Sequence, residues 1–266
     1  MRLALLSERG RVGKTSLARA WAEFLAAPLY ELELGLPKLW PQEKETTEEV
    51  YWRLSRVDRR LCDLCEECIK NCQFGALLRE GEVIKHRGYR CRGCGLCKEV
   101  CPQKAISLQK IKIAEIISGK NQAFPVYTAR FLRGGTQEGV VWRRLFEKFP
   151  LGEKAVLKAP TGLNGESLQA VKEAEAFLLV TTLSRFQEEI SLFVEMVQGI
   201  GLPGAVILNF SDVEEEVRSY AESQGLYWLG TIPSLEIGQA EQSLLAVYPP
   251  LKESFSGFLK AVEGGS

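Results

Sequence analysis

The chain has 266 residues, 34 Lys and Arg against 34 Asp and Glu, and 45% hydrophobic residues. A formal net charge of zero gives no global pull toward nucleic acid or an anionic membrane surface. No apolar run reaches the roughly 18 residues of a spanning helix, and the length leaves room for one large and one small globular domain.

Met1-Arg2-Leu3-Ala4-Leu5-Leu6 begins as a secretory leader does, but Ser7-Glu8-Arg9 ends the apolar stretch too early. The run is expected to be a first strand, and the protein cytoplasmic without a stable membrane anchor. A helical pattern follows, with Leu17, Trp21, Phe24 and Leu25 on one face. The loop between reads Ser-Glu-Arg-Gly-Arg-Val-Gly-Lys-Thr-Ser from Ser7 to Ser16. Strand, glycine-bearing loop, Gly-Lys-Thr and helix make a phosphate-binding loop. Arg9, Gly10, Arg11, Val12, Gly13, Lys14, Thr15 and Ser16 are its candidate nucleotide-binding residues. Backbone N–H groups and the helix N-terminus would hold phosphate oxygens, Lys14 would supply charge, and Thr15 is the candidate Mg²⁺ ligand. The alternative is an ordinary strand-to-helix turn. Glu8 stands where the P-loop pattern has glycine, and a carboxylate beside phosphate is repulsive unless it turns away.

Alternation over Leu29–Leu39 predicts a strand. Thr46-Thr47-Glu48-Glu49 fits a capping box, with Val50–Leu54 as a short helix or extended linker. All eight cysteines then fall between Cys62 and Cys101, in two runs of one spacing, and Pro102 follows the second. Three thiolates two residues apart wrap one [4Fe–4S] cube, and the fourth reaches the other cube. Cys62, Cys65, Cys68 and Cys101 are therefore assigned to one cluster, and Cys91, Cys94, Cys97 and Cys72 to the other. Zinc is the alternative, but it has no use for the third and fourth thiols of each run. Disulfides would need a secretory context that the sequence does not offer. Gln73 follows Cys72 where the second run has proline, a change in the turn and not in the ligand.

Residues 56–110 are expected to form an inserted ferredoxin unit between 1–55 and 111–266. It repeats ligand run, short helix and apolar strand (Ala76–Leu78 and Ala105–Leu108) at a period of about 29 residues. Residues 57–110 carry 11 Lys and Arg against 7 Asp and Glu, an excess that offsets anionic clusters. His86, in the loop between the halves, is expected at the surface without a role. Further on, Phe124–Tyr127 reads as a strand and Gln137–Phe149 as a helix with Val140, Val141, Leu145 and Phe146 inward. Ala176–Val180 and Ala205–Asn209 read as strands. Ser184 and Ser211 are expected to cap helices, and Leu251–Val262 to form a last helix docked on its own domain. Repeated strand–helix units mean α/β: a doubly wound, mainly parallel sheet with a small inserted α+β ferredoxin.

The loop from Ser7 to Ser16 resembles the deviant Walker A loop of the MinD/ParA ATPases, and the cysteine block resembles the branch of that family carrying an inserted two-cluster ferredoxin. The resemblance covers nearly the whole chain. It implies ATP or ADP as ligand and a nucleotide-closed dimer, in which the signature lysine, here Arg9, reaches the partner's nucleotide. The second glycine of the family's pair is Arg11. Glu31 and Glu33 stand for aspartates, the first serving the attacking water, and Lys38 for an asparagine. After Lys154–Ala159, Gly162 matches a γ-phosphate-contacting glycine, and Asn209 matches an adenine-contacting asparagine. Lys158 stands where the family's aspartate holds Mg²⁺. A lysine cannot hold magnesium; as a cation there it would neutralise phosphate directly, which implies metal-independent binding.

The leading reading is a nucleotide-binding iron–sulfur protein that couples ATP binding to electron transfer with a redox partner protein. Its degenerate site points to a redox subunit, either a homodimer or paired with an intact MinD-like relative. The alternatives are an autonomous ATP hydrolase and a plain ferredoxin carrier indifferent to nucleotide.

Overall fold

In the computed structural model the described residues are 1–34, 41, 43–121, 124–132, 137–234 and 243–264. The strands are β1 (Arg2–Leu6), β2 (Leu29–Glu31), β3 (Glu43–Val57), β4 (Leu77–Glu80), β5 (Val83–His86), β6 (Ile106–Asn121), β7 (Phe124–Phe131), β8 (Ala155–Lys158), β9 (Ala176–Thr181), β10 (Gly204–Asn209) and β11 (Tyr227–Ile232). The helices are α1 (Lys14–Leu25), α2 (Glu67–Lys70), α3 (Leu96–Glu99), α4 (Glu138–Lys148), α5 (Gly165–Val171), α6 (Phe186–Gln198), α7 (Glu215–Ser223), α8 (Leu244–Val247) and α9 (Pro250–Gly264). Among the described residues the main sheet has nine strands in the order β11-β10-β9-β1-β8-β2-β7-β6-β3. Its pairs are parallel from β11 through β7, and antiparallel where β6 joins β7 and β3.

Alternation along β1 explains the layers. Leu3 and Leu5 face a core shared with α1, α8 and α9, whereas Ala4 and Leu6 face the opposite core with α4, α6 and α7. The expected doubly wound, mainly parallel sheet is present. Because β1 lies between β8 and β9, the loops after β1 and β8 open side by side at one end of the sheet.

The capping-box reading of Thr46–Leu54 is corrected: this stretch lies inside β3, which pairs along its length with β6. Val50, Trp52 and Leu54 recur at period two, and Thr46 Oγ1 meets Ser118 Oγ across the ladder at 2.7 Å. Threonines and aromatics suit a half-covered strand, and this tertiary pairing overrides a local cap signature. The boundaries expected near residues 55 and 110 fall within these two strands, which run on into the ferredoxin unit. That unit holds α2, α3 and the β4–β5 hairpin. His86 is corrected too, since it ends β5, half-buried, and pairs with Leu77.

The strand expected over Leu29–Leu39 is β2, which ends at Glu31; residues 35–40 lie outside the described residues, Lys38 among them. Helix α4 matches its expectation, with Trp142 buried beside Val141 and Leu145. Ser184 and Ser211 do not cap. Ser184 precedes α6 in a 3₁₀ turn and accepts a hydrogen bond from Arg9, while the Ser211 hydroxyl accepts from the Val213 N–H ahead of α7. No helix among the described residues is long and apolar enough to cross a membrane.

The last helix docks on its own domain. Phe255 stacks on Trp21 of α1 with ring centroids 3.8 Å apart, and Leu251 and Phe258 are buried beside it. Truncating Phe255 to Ala is therefore expected to cost about 3–5 kcal/mol. A thermal melt of the iron-loaded chain followed by circular dichroism would show this loss; an unchanged midpoint would mean that α9 does not seal the core.

Candidate functional site: a P-loop pocket and a cysteine unit joined by one helix

The loop after β1 and the end of β8 enclose a pocket of about 220 Å³, lined by Ser7, Arg9 to Thr15, Lys158 and Thr161. Gly13 has φ 85°, and a Cβ there would lie 1.9 Å from Asn209 Nδ2, so only glycine fits. Asn209 donates to the Val12 carbonyl at 2.9 Å and thus braces the loop from β10. Arg11 keeps the left-handed backbone of a glycine at φ 64°, a strained position for a side-chain-bearing residue. Gly162, at φ 108°, donates its N–H to the Ser7 carbonyl at 2.9 Å and ties the β8 loop to the β1 loop.

Lys14 is buried and donates to the Ala159 and Pro160 carbonyls at 2.8 and 3.0 Å. Thr15 lines the pocket, whereas Ser16 is exposed one residue further along α1. Glu8 turns away from the pocket, and its carboxylate accepts the Leu163 N–H at 2.7 Å. Arg9 folds back onto its own chain: it bonds Glu189 at 2.6 Å, Thr182 at 3.0 Å and Ser184 at 3.1 Å. Glu189 is buried and also accepts from Thr181. Glu189 and Thr182 carry no local motif and Ser184 reads only as a helix cap; the parallel placement of β9 beside β1 brings all three to Arg9.

Lys158 ends β8 as a fully buried cation. Its ammonium is 1% exposed and contacts Glu31 Oε1 at 2.8 Å and Glu33 Oε2 at 3.0 Å. The expectation that this cation is left to a phosphate is thus modified, because two carboxylates of the β2 end already face it. Glu31 is fully buried and its other oxygen, Oε2, is buried without a hydrogen-bond partner. Burial raises the Glu31 pKa above the ordinary glutamate value, while Lys158 opposes the shift by charge and hydrogen bond.

Cys72, Cys91, Cys94 and Cys97 line one cavity of about 220 Å³, together with Ser55, Phe74, Leu96 and Leu108. Cys68 lies among Cys62, Cys101, Cys97 and Cys65; burial first, then those neighbours, push its thiol up to about 11. Backbone N–H groups point at sulfur in both halves: Ala76 to Cys72 Sγ and Ala105 to Cys101 Sγ at 3.3 Å, and Gly93 to Cys91 Sγ at 3.4 Å. Such donors stabilise thiolate ligands and tune a cluster. Among the described residues no three Cys, His, Asp or Glu side chains are drawn together as a single bound ion would need. Cys72, Cys91, Cys94 and Cys97 instead border one cavity, and a polynuclear cluster fits that arrangement.

Residues 89–107 match the 4Fe–4S binding domain. Pyruvate synthase subunit PorD of Methanothermobacter marburgensis is 38% identical over 63 residues, which are 23% of this chain and 74% of that protein. The chain belongs to the 4Fe–4S ferredoxin family. Indolepyruvate oxidoreductase subunit IorA of Methanothermobacter thermautotrophicus is 47% identical over 51 residues, 19% of this chain. The chain spans only 8% of that subunit's length. Among solved structures, the septum site-determining protein MinD of Pyrococcus horikoshii, complexed with Mg-ADP, is similar over 98% of both chains, at 12% identity and TM-score 0.49.

The two centres of this iron–sulfur chain are mechanically joined. The Leu32 N–H donates to the Lys158 carbonyl at 3.0 Å, and the Leu32 carbonyl accepts Trp142 Nε1 of α4 at 3.2 Å. Five residues before Trp142, at the N-terminal start of α4, buried Gln137 donates to the Cys91 carbonyl at 3.0 Å. Trp52 packs on the same cysteine loop, its ring 3.2 Å from where a Gly93 Cβ would stand. Sequence pattern does not mark Gln137 as anything but a helix start.

Substituting Lys158 by Met leaves the Glu31 carboxylate buried without its cation, at a cost of about 3–5 kcal/mol near neutral pH. Removing the two lowering effects that Lys158 supplies lifts the folded-state Glu31 pKa further, so the folded chain holds a proton that the unfolded chain releases. K158M should then lose stability, relative to the parent, as pH rises from 5 to 8, and K158M/E31Q should not. Urea melts at both pH values measure this; a pH-independent deficit would mean that Glu31 is not the group involved.

Proposed function

We propose that this iron–sulfur protein couples nucleotide binding to electron transfer, with ATP or ADP in the P-loop pocket and two [4Fe–4S] clusters in the ferredoxin unit. The hydrogen-bonded line from Lys158 through Leu32, Trp142 and α4 to the Cys91 loop carries this reading. It makes nucleotide at one end and a cluster ligand at the other share one rigid element. Cys62, Cys65, Cys68 and Cys101 would hold one cluster, and Cys91, Cys94, Cys97 and Cys72 the other. When bound, such clusters accept and donate single electrons. Relatives named as subunits of an indolepyruvate oxidoreductase and of a pyruvate synthase support a role within a larger redox assembly.

In the pocket, the loop N–H groups and Lys14 bind phosphate. Lys158 occupies the metal aspartate's place and is matched by Glu31 and Glu33, so nucleotide binds without Mg²⁺. Glu31, tied to Lys158, does not orient an attacking water, and the chain alone does not hydrolyse ATP. Arg9, held by Glu189, braces its own loop. Dimerisation, with a second copy or with an intact MinD-like relative, would supply a competent site from the partner. The protein works in the cytoplasm.

Two outcomes are expected. Calorimetric titration should give equal ADP affinity with EDTA and with Mg²⁺, lost in K14A. Q137A should leave that affinity within about twofold but abolish the nucleotide-dependent change in the cluster's electron paramagnetic resonance signal. Mg²⁺-dependent hydrolysis that disappears in K14A would replace this reading with an autonomous ATPase. Separately, C72S should lower iron from about eight to about four atoms per chain, with the lost signal belonging to the Cys91 run.

A further inference from the structure

The two halves of the ferredoxin unit are alike in ligands and unlike in charge. Residues 57–83 carry 4 Lys and Arg against 6 Asp and Glu; residues 84–110 carry 7 against the single Glu99. Neutralising a bound cluster does not explain this, because both halves hold the same kind of ligand set and only one is cationic. The rim of the cavity beside the positive half also exposes apolar surface, Phe74 from the first half and Tyr89 and Leu96 from the second. Phe74 and Leu96 border the Cys72–Cys91–Cys94–Cys97 cavity and are 42% and 40% exposed. Tyr89 is 47% exposed, with the Arg90 guanidinium 5.8 Å from its ring centroid. The same guanidinium lies against Gly75, next to Phe74: a Cβ there would sit 3.2 Å from Nη1. Arg92 lines the cavity, and Lys98 is exposed on α3 beyond Leu96. Cys94 itself is exposed at this rim. The other face of the Cys91 loop is closed by Trp52 and Gln137.

We infer that Phe74, Tyr89 and Leu96, ringed by Arg90, Arg92 and Lys98, form the docking surface for an acidic electron-carrier protein, so that electrons enter or leave through the Cys91 half. The inference rests on the reading of the cysteine runs as cluster ligands. An apolar centre with a charged rim is the make-up of a transient protein interface. Opposite charge steers such encounters and makes them salt-sensitive, while a small area keeps them weak enough to separate. One electron passes from the reduced carrier to the oxidised chain, or back, with no bond made or broken.

The test uses the anaerobically purified, iron-loaded chain. An acidic plant-type [2Fe–2S] ferredoxin serves as probe and basic cytochrome c as control, with binding measured by titration calorimetry. The acidic probe should bind at low salt and weaken about tenfold on raising salt to 0.5 M. R90E/K98E should weaken it about tenfold at low salt, F74S should weaken it at all salt concentrations, and R59E, beside Cys62, should leave it unchanged. Visible absorption of each variant verifies that its clusters are retained. If R90E/K98E binds the acidic probe like the parent, if cytochrome c is preferred, or if these substitutions instead dissolve a homodimer, the docking assignment is overturned. Absence of iron and of dithionite-reducible absorption in the parent chain would overturn the redox reading beneath it.

Discussion

A lysine ammonium buried between two glutamates at the mouth of the central strands fixes the character of the P-loop pocket. Charge at such a position must be matched inside the fold, since an unpaired ion there costs several kcal/mol. Glu31 and Glu33 provide the match from β2, and the pairing of β2 with β8 places them there. The same strand end carries Leu32, whose backbone is bonded both to Lys158 and to Trp142. The ion cluster, the edge of the pocket and the start of the route to the cysteines are thus one piece of structure. The pocket thus carries a cation of its own, already neutralised by two carboxylates.

Much of this was legible in the chain. β1, the glycine loop and α1 form a local unit whose pattern is written in adjacent residues, and the cysteine runs have a spacing that few other chemistries use. The core faces of α1 and α9 follow from helical period. What was not legible depends on partners far away in sequence. Lys158 reads as a lost metal ligand, yet only the β2–β8 register reveals its carboxylates. Arg9 reads as an outward-reaching residue until Glu189, Thr182 and Ser184 are set beside it by β9. Glu8 reads as a clash until it finds the Leu163 N–H.

Residues 46–54 show how a local rule loses. The Thr-x-x-Glu signature is real, but a cap has value only if a helix follows, and a helix needs an apolar face at its own period. Val50, Trp52 and Leu54 offer period two, and β6 offers a ladder for the whole segment. Pairing across many residues outweighs one capping interaction of about 1 kcal/mol. Gln137 is the converse case, a residue with no local signature that carries a connection between two centres.

The β3–β6 ribbon has a consequence for how the ferredoxin unit is joined to the sheet. Val57 lies opposite Ile106 at the ribbon's tip, so the ferredoxin unit enters and leaves the fold through two neighbouring backbone positions. To the sheet, everything between them is equivalent to the turn of a long hairpin. A unit whose own ends lie one strand spacing apart fits there without disturbing a single parallel pair. The tip is a graft point, and the stiff ribbon beneath it holds any graft at a fixed bearing to the sheet.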